Sequence, residues 1–123
     1  MTRQELIDLC LTFPAAYEDH PFDSLAKGNQ WTAMRHGGNK KSFAFINELQ
    51  GRLCVNLKCD PFEAEFLRQA FRDVIPGFHM NKTHWNTVFL NGDVPDEKLA
   101  WMIGHSYDLI KPIIRKWDKG GKP

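Results

Sequence analysis

The 123-residue chain lacks most of the signatures by which a sequence declares a function. No apolar run approaches the ~20 residues of a membrane-spanning helix, and the N-terminus leads into an amphipathic pattern instead of a signal-peptide core. Cysteine is scarce: Cys10, Cys54 and Cys59 are odd in number and fit no disulfide framework. Cys54 and Cys59 stand five apart in a strand-like run, which suits neither a CxxC pair nor a zinc knuckle. All three are therefore expected as reduced thiols that pack as small apolar groups. The histidines form no HExxH or Hx3-5H helical pair; His79 and His84 flank a turn, which leaves room for a two-ligand site, but no metal site is assigned.

Glycine-rich phosphate loops are also missing. Gly37, Gly38, Asn39 and Lys40 lie between strands, not ahead of a helix. There is no GxSxG elbow, and His105 and Ser106 are helix neighbours that cannot face each other as base and nucleophile. Glu63, Glu65, Asp96 and Glu97 occupy first turns of helices, where acids offset the macrodipole. No catalytic residue, cofactor or metal is assigned, and the chain is read as a non-enzyme. A formal charge of +1 excludes a histone-like or polybasic protein.

What is present is an ordinary globular composition, 42% apolar and 25% charged. A chain of this length should bury about two-thirds of its unfolded surface. The sequence reads as one soluble, cytoplasmic domain over residues 1–118, with a flexible tail at 119–123. Thr2 and Glu5 form a capping box for a helix over 3–13. Residues 14–30 read as a long connection that Tyr17, Pro21 and Phe22 pin to the core. Strands follow at 30–36, 41–47 and 52–59. In the second, Phe43 and Phe45 are expected on one face and Ser42, Ala44 and Ile46 on the other. In the third, Leu53, Val55, Leu57 and Cys59 face one way, while Arg52, Cys54, Asn56 and Lys58 form a polar face toward solvent or a ligand.

Asp60, Pro61 and Glu63 start a helix over 61–72, with Phe62, Phe66 and Ala70, flanked by Leu67 and Phe71, as its buried stripe. Residues 74–80 read as an edge strand or irregular segment, and 85–90 as a strand. The last helix spans 95–117, with Leu99, Ile103, Ser106, Ile110, Ile113 and Trp117 at helical spacing and Met102, Tyr107 and Ile114 beside them. Pro112 should kink or break it near Ile110. Grouped strands with helices between them predict an α+β fold: an antiparallel sheet of four to five strands with helices packed on one face.

Two features carry functional information. Asn81, Lys82, His84, Trp85 and Asn86 crowd hydrogen-bonding groups and an aromatic ring into six positions. They suit either a turn that enters a strand or a surface on which Lys82 meets a phosphate. Charge is also segregated. Residues 4–25 hold five acids and no Lys or Arg, whereas residues 111–123 hold five basic residues against one acid. Arg35, His36, Lys40 and Lys41 surround the first hairpin turn. Such basic loops fit salt-sensitive binding to a phosphate backbone.

The run Asn81-Lys82-Thr83-His84-Trp85-Asn86-Thr87-Val88, then Gly92-Asp93-Val94-Pro95, a long helix and Ser106-Tyr107, resembles the MmcQ/YjbR family. Asp19-His20-Pro21-Phe22 and Leu57-Lys58 match as well, so the resemblance runs through nearly the whole chain. It implies a bacterial protein of a group usually labelled DNA-binding, with a fold similar to CyaY/frataxin. It further implies β-hairpins that act as wings on DNA, here at 37–41 and 48–51. Frataxin-like iron binding is not implied, because residues 3–13 carry only Glu5 and Asp8 as acids.

The expected function is thus weak, salt-dependent binding of DNA, double-stranded in the first instance, with low sequence specificity. Arg35, Lys40, Lys41, Arg52, Lys58 and Lys82 are the candidate phosphate contacts, with Trp85 or His84 as a stacking or edge-reading group. Asn81, Lys82, Trp85, Ser106 and Tyr107 form the family motif, whose role is either functional or structural. Tyr107 is expected to place its hydroxyl on Lys58, Asn81 or a backbone carbonyl. The alternative is a non-catalytic module for a protein or a small anionic ligand. The chain is expected to be a monomer.

Overall fold

A computed structural model describes residues 1–21 and 31–113. The pinning role of Phe22, the basic residues beyond 113 and the tail at 119–123 lie outside the described residues. The elements run α1 (Arg3–Leu11), β1 (Ala16–Asp19), β2 (Thr32–His36), β3 (Ser42–Leu49), β4 (Arg52–Lys58), α2 (Pro61–Ala70), β5 (Val74–Pro76), β6 (Trp85–Phe89) and α3 (Asp96–Ile110). The fold is α+β. One antiparallel sheet has the order β1-β2-β3-β4-β6-β5. Helices α1, α3 and α2 lie over its first edge, its centre and its second edge, and all contribute to one apolar cluster.

Six strands replace the expected four to five. The addition is β1, inside the segment read as a connection. Ala-Tyr-Glu-Asp carries no apolar alternation, and its strand character comes from pairing with β2. Ala15 at φ 60 and the bond from Gly37 N to Ala15 O (2.7 Å) turn the chain into that pairing. At the far edge, Val74–Pro76 is a short edge strand on β6.

Helix α1 has the capping box, with Glu5 N on Thr2 Oγ1 at 3.1 Å and Thr2 N on Glu5 Oε1 at 2.7 Å. It stops at Leu11, two residues early, and Pro14 disfavours helical geometry at Phe13. Helix α3 ends at Ile110, with Pro112 two residues on; Ile113 is exposed and not helical. Its buried stripe of Leu99, Met102, Ile103, Ser106, Tyr107 and Ile110 is the expected one.

Helix α2 differs. Its N-cap is Asp60, whose carboxylate accepts from Glu63 N at 3.3 Å, while Asp60 N donates to His105 Nε2 at 3.2 Å. The buried residues are Ala64 and Leu67, with Phe71 partly buried just after the helix. Phe62 and Phe66 point to solvent, at 88% and 61% exposure. Arg68 decides the rotation. Its Nε donates to Asn86 Oδ1 at 2.6 Å and its Nη2 to Trp85 O at 3.3 Å, so the 64/67/68 side of α2 faces the sheet.

The β3 faces also differ from the alternation. Met34 pairs with Ala44 and Arg35 with Ser42, so Phe43 is an extra residue opposite no partner. This bulge turns Phe43 under the helices, against Phe13 and Tyr107, and leaves Phe45 on the opposite face against Trp31 and Trp85.

The two faces of α2 predict opposite mutational costs. Phe66→Ala should change unfolding free energy by under ~1 kcal/mol, as exposed sites do. Leu67→Ala should cost about 2–5 kcal/mol. Urea denaturation of both variants checks the rotation; equal costs would contradict it.

Candidate nucleic-acid interface

The predicted site residues do not form one cluster. Successive turns of a meander alternate ends, so the turns at 37–41 and 48–51 lie at opposite ends of the eight-residue β3. At ~3.4 Å per residue they are roughly 25 Å apart. The second turn has φ of 54° at Gln50 and 75° at Gly51, the signs a tight two-residue hairpin requires. It carries Arg52, which does not reach outward. Arg52 Nη1 bonds Asp73 Oδ1 at 3.1 Å and its guanidinium lies 4.6 Å from the Phe89 ring centroid. That hydrogen bond holds the Asp73 carboxyl below the usual carboxylate range. Asp93 completes the knot by accepting from Arg72 N (2.7 Å) and Asp73 N (3.0 Å).

Arg35 is likewise engaged, with Asp19 Oδ2 at 2.8 Å and Lys40 O at 3.1 Å. Lys82 bonds Gly77 O at 3.0 Å and closes the turn between β5 and β6. Its own carbonyl accepts from Arg68 Nη2. Asn81 Oδ1 takes Thr83 N at 2.9 Å, which makes a local turn. These residues are occupied in building loops and strand edges.

Three lysines remain. Lys40 and Lys41 are exposed on the 37–41 turn, which Asn39 ties to the end of α3 by a bond from Nδ2 to Ile110 O (2.7 Å). Lys58 is the cross-strand partner of Trp85, so both lie on the sheet face opposite the helices. Among the described residues no ion pair or hydrogen bond engages the ammonium of Lys40, Lys41 or Lys58. His84 is exposed beside them, and its carbonyl accepts from Cys59 N at 2.8 Å.

On that same face stands a line of rings that the sequence reading passed over. Trp31 meets Phe45 edge-on at 6.2 Å, and Phe45 meets Trp85 at 5.7 Å; all three are half-buried. Trp31, Phe45, His79 and Met80 line a hollow of about 350 Å³. The aromatics were visible in the sequence, but assigning Phe43 and Phe45 to one face concealed the line. Beneath it, the expected polar face of β4 is buried at Cys54 and Asn56, not open. Asn56 Nδ2 bonds Phe45 O (3.2 Å) and Asn47 Oδ1 (3.3 Å), and Thr87 Oγ1 donates to Asn56 Oδ1 (2.5 Å). Cys54 Sγ sits 3.3 Å from Asn47 Oδ1. Burial pushes the thiols up, to about 12 for Cys10 and about 11 for Cys54 and Cys59, which suits packing and not nucleophilic chemistry. Among the described residues no group of three metal-ligating side chains occurs.

The YjbR family model matches residues 11–109. The chain belongs to the YjbR family. It is 36% identical over 114 residues to the uncharacterised protein YjbR of Escherichia coli strain K12, covering 93% of this chain and 91% of that one. It is 32% identical over 92 residues to the uncharacterised YbdF of Escherichia coli O157:H7, covering 75% and 74%. Among solved structures, a Pseudomonas syringae protein superposes with TM-score 0.80 at 27% identity, covering 90% of this chain and all of that one. Deinococcus radiodurans DR2400 gives 0.77 at 33% identity, covering 99% and 89%.

Two residues of the YjbR-family motif, Ser106 and Tyr107, are buried between α3 and the sheet. Tyr107 is buried against Phe13, Phe43 and His36, and its hydroxyl donates to Pro14 O at 2.7 Å. A backbone carbonyl is thus its partner, not Lys58 or Asn81. Ser106 is fully buried. The β3–β4 ladder ends at the Ala44–Leu57 pair. One step further, Lys58 N donates to Ser106 Oγ (2.9 Å), and Ser106 Oγ donates to Phe43 O (2.6 Å). The hydroxyl is inserted as a rung where the bulge breaks direct pairing.

Ser106→Ala should leave that buried donor and acceptor unbridged and cost about 1–3 kcal/mol of stability. Urea unfolding measures it. A cost near zero would show that the rung is dispensable.

Proposed function

We propose that this protein is a non-catalytic, cytoplasmic DNA-binding protein that contacts phosphates weakly, with one sheet face and with low sequence specificity. One observation carries the reading. Lys58 stands unpaired across from Trp85 on the face opposite the helices, and Lys40 and Lys41 project at the same end of the sheet. The interface is smaller than the sequence implied. Arg35, Arg52 and Lys82 already have intramolecular partners, and only the 37–41 turn can act as a wing beside that face. A few free ammonium groups give an affinity that salt erodes quickly, because each neutralised phosphate releases condensed counterions.

Fluorescence anisotropy with a labelled duplex at low and at near-physiological salt tests the reading. The parent should bind measurably at low salt. The triple variant Lys40→Ala/Lys41→Ala/Lys58→Ala should bind at least roughly tenfold more weakly, with the slope of log K against log salt reduced by about 2–3. Absence of binding to duplex and single-stranded DNA alike at low salt, or indifference to the triple change, would sink the proposal.

A second reading, a protein-interaction module, is favoured by the exposed Phe62 and Phe66 of α2. Exposed aromatic pairs of this kind suit partner binding. Affinity capture with the parent and with a Phe62→Ser/Phe66→Ser variant checks it. A partner recovered by the parent and lost by the variant is its expected result; identical recoveries would remove it.

A further inference from the structure

We propose that the hollow bounded by Trp31, Phe45, His79 and Met80 receives an unpaired nucleobase, so that the preferred ligand is single-stranded DNA. The inference rests on the DNA reading above and specifies the form of DNA that this face takes.

Three observations lead to it. The first is the shape and lining of the hollow. Its volume of about 350 Å³ is at the small end of the ligand-pocket range of about 300–1,000 Å³, and it is walled by two aromatic rings, an imidazole and a thioether. A flat, uncharged π-face is the ligand surface that such walls stack against. The second is the state of its polar neighbours. The Asn56 amide nitrogen and oxygen are both bonded within the sheet, and the Thr87 hydroxyl donates to Asn56 and accepts from Phe78 N at 2.9 Å. These groups therefore have little capacity left to read a base edge, and recognition by stacking is what remains. Stacking tolerates any base, which accords with low sequence specificity.

The third is charge placement. Trp85 touches Phe45, and Lys58 is opposite Trp85, so an unpaired ammonium flanks the ring line. A base seated on the rings puts its strand's phosphates along the side that carries Lys58. Duplex DNA keeps its base faces stacked inside and can offer this surface only phosphates. A single strand offers both.

The 77–82 turn supplies the rest of the lining. His79 takes the left-handed conformation at φ 62, and Met80 N returns to Gly77 O at 3.3 Å. A Cβ on Gly77 would lie 2.9 Å from Cβ of both Met80 and Trp85, so glycine permits the approach of the turn to the strand. Lys82 closes the same turn through Gly77 O.

Three labelled probes of equal length separate the contributions: an oligothymidylate strand, an abasic strand and a duplex. Anisotropy at low salt should show the thymidylate strand binding about tenfold or more tighter than the abasic strand and the duplex. Tryptophan fluorescence should be quenched by the thymidylate strand alone. Phe45→Ala should bring thymidylate binding down to the abasic level. Met80→Ala, on the loop and outside the sheet, should lower it severalfold and serves if Phe45→Ala does not fold. Equal binding of thymidylate and abasic strands, or of thymidylate and duplex, would overturn the stacking inference and leave the phosphate reading standing. No binding of any probe would overturn both.

Discussion

The fold depends on one extra residue in the middle strand. Phe43 has no partner on β2, and the ladder to β4 stops beside it. A bulge there would leave a buried carbonyl and a buried amide without partners, a cost comparable to the net worth of several ordinary hydrogen bonds. The Ser106 hydroxyl accepts from one and donates to the other, from the helix that crosses the sheet centre. Everything distinctive about the two faces follows. Phe43 joins Phe13 and Tyr107 under the helices, and Phe45 is left on the far side with Trp31 and Trp85.

The same economy governs charge. Arg35, Arg52 and Lys82 each give a donor to Asp19, Asp73 and Gly77 respectively, each within a strand edge or turn. The carboxylate beside Arg52 titrates below its ordinary range for that reason. A nearly balanced total charge thus hides a division between basic groups that hold the molecule together and a few that remain available. Of the candidate phosphate contacts, Lys40, Lys41 and Lys58 are the available ones, and they share one end of the sheet.

Much of the fold was legible. The capping box at Thr2, the Asp60–Pro61 helix start, the α3 stripe and its arrest ahead of Pro112 are all local signals, set by backbone hydrogen bonding and φ restriction. The features that were not legible involve partners distant in sequence. Strand β1 has no pattern of its own and exists because β2 offers it an edge. The rotation of α2 depends on where Arg68 finds Asn86 and Trp85, and apolar spacing alone wrongly favoured Phe62 and Phe66. The ring line was hidden because alternation has no signature for a strand bulge whose bonding partner, Ser106, lies on a helix distant in sequence.

By itself, the sequence determined the α+β class, the order of most elements, the absence of a long apolar helix and, through the Asn-Lys-x-x-Trp and Ser-Tyr residues, the family. These rest on periodicity and local stereochemistry, which neighbours along the chain fix. Tertiary structure alone decided which side of β3 each phenylalanine takes, which of the candidate cations have intramolecular partners, and that Ser106 and Tyr107 are buried against the sheet. Those outcomes depend on satisfying each buried donor, acceptor and charge with groups as far as 93 residues away, as the bond from Tyr107 to Pro14 illustrates.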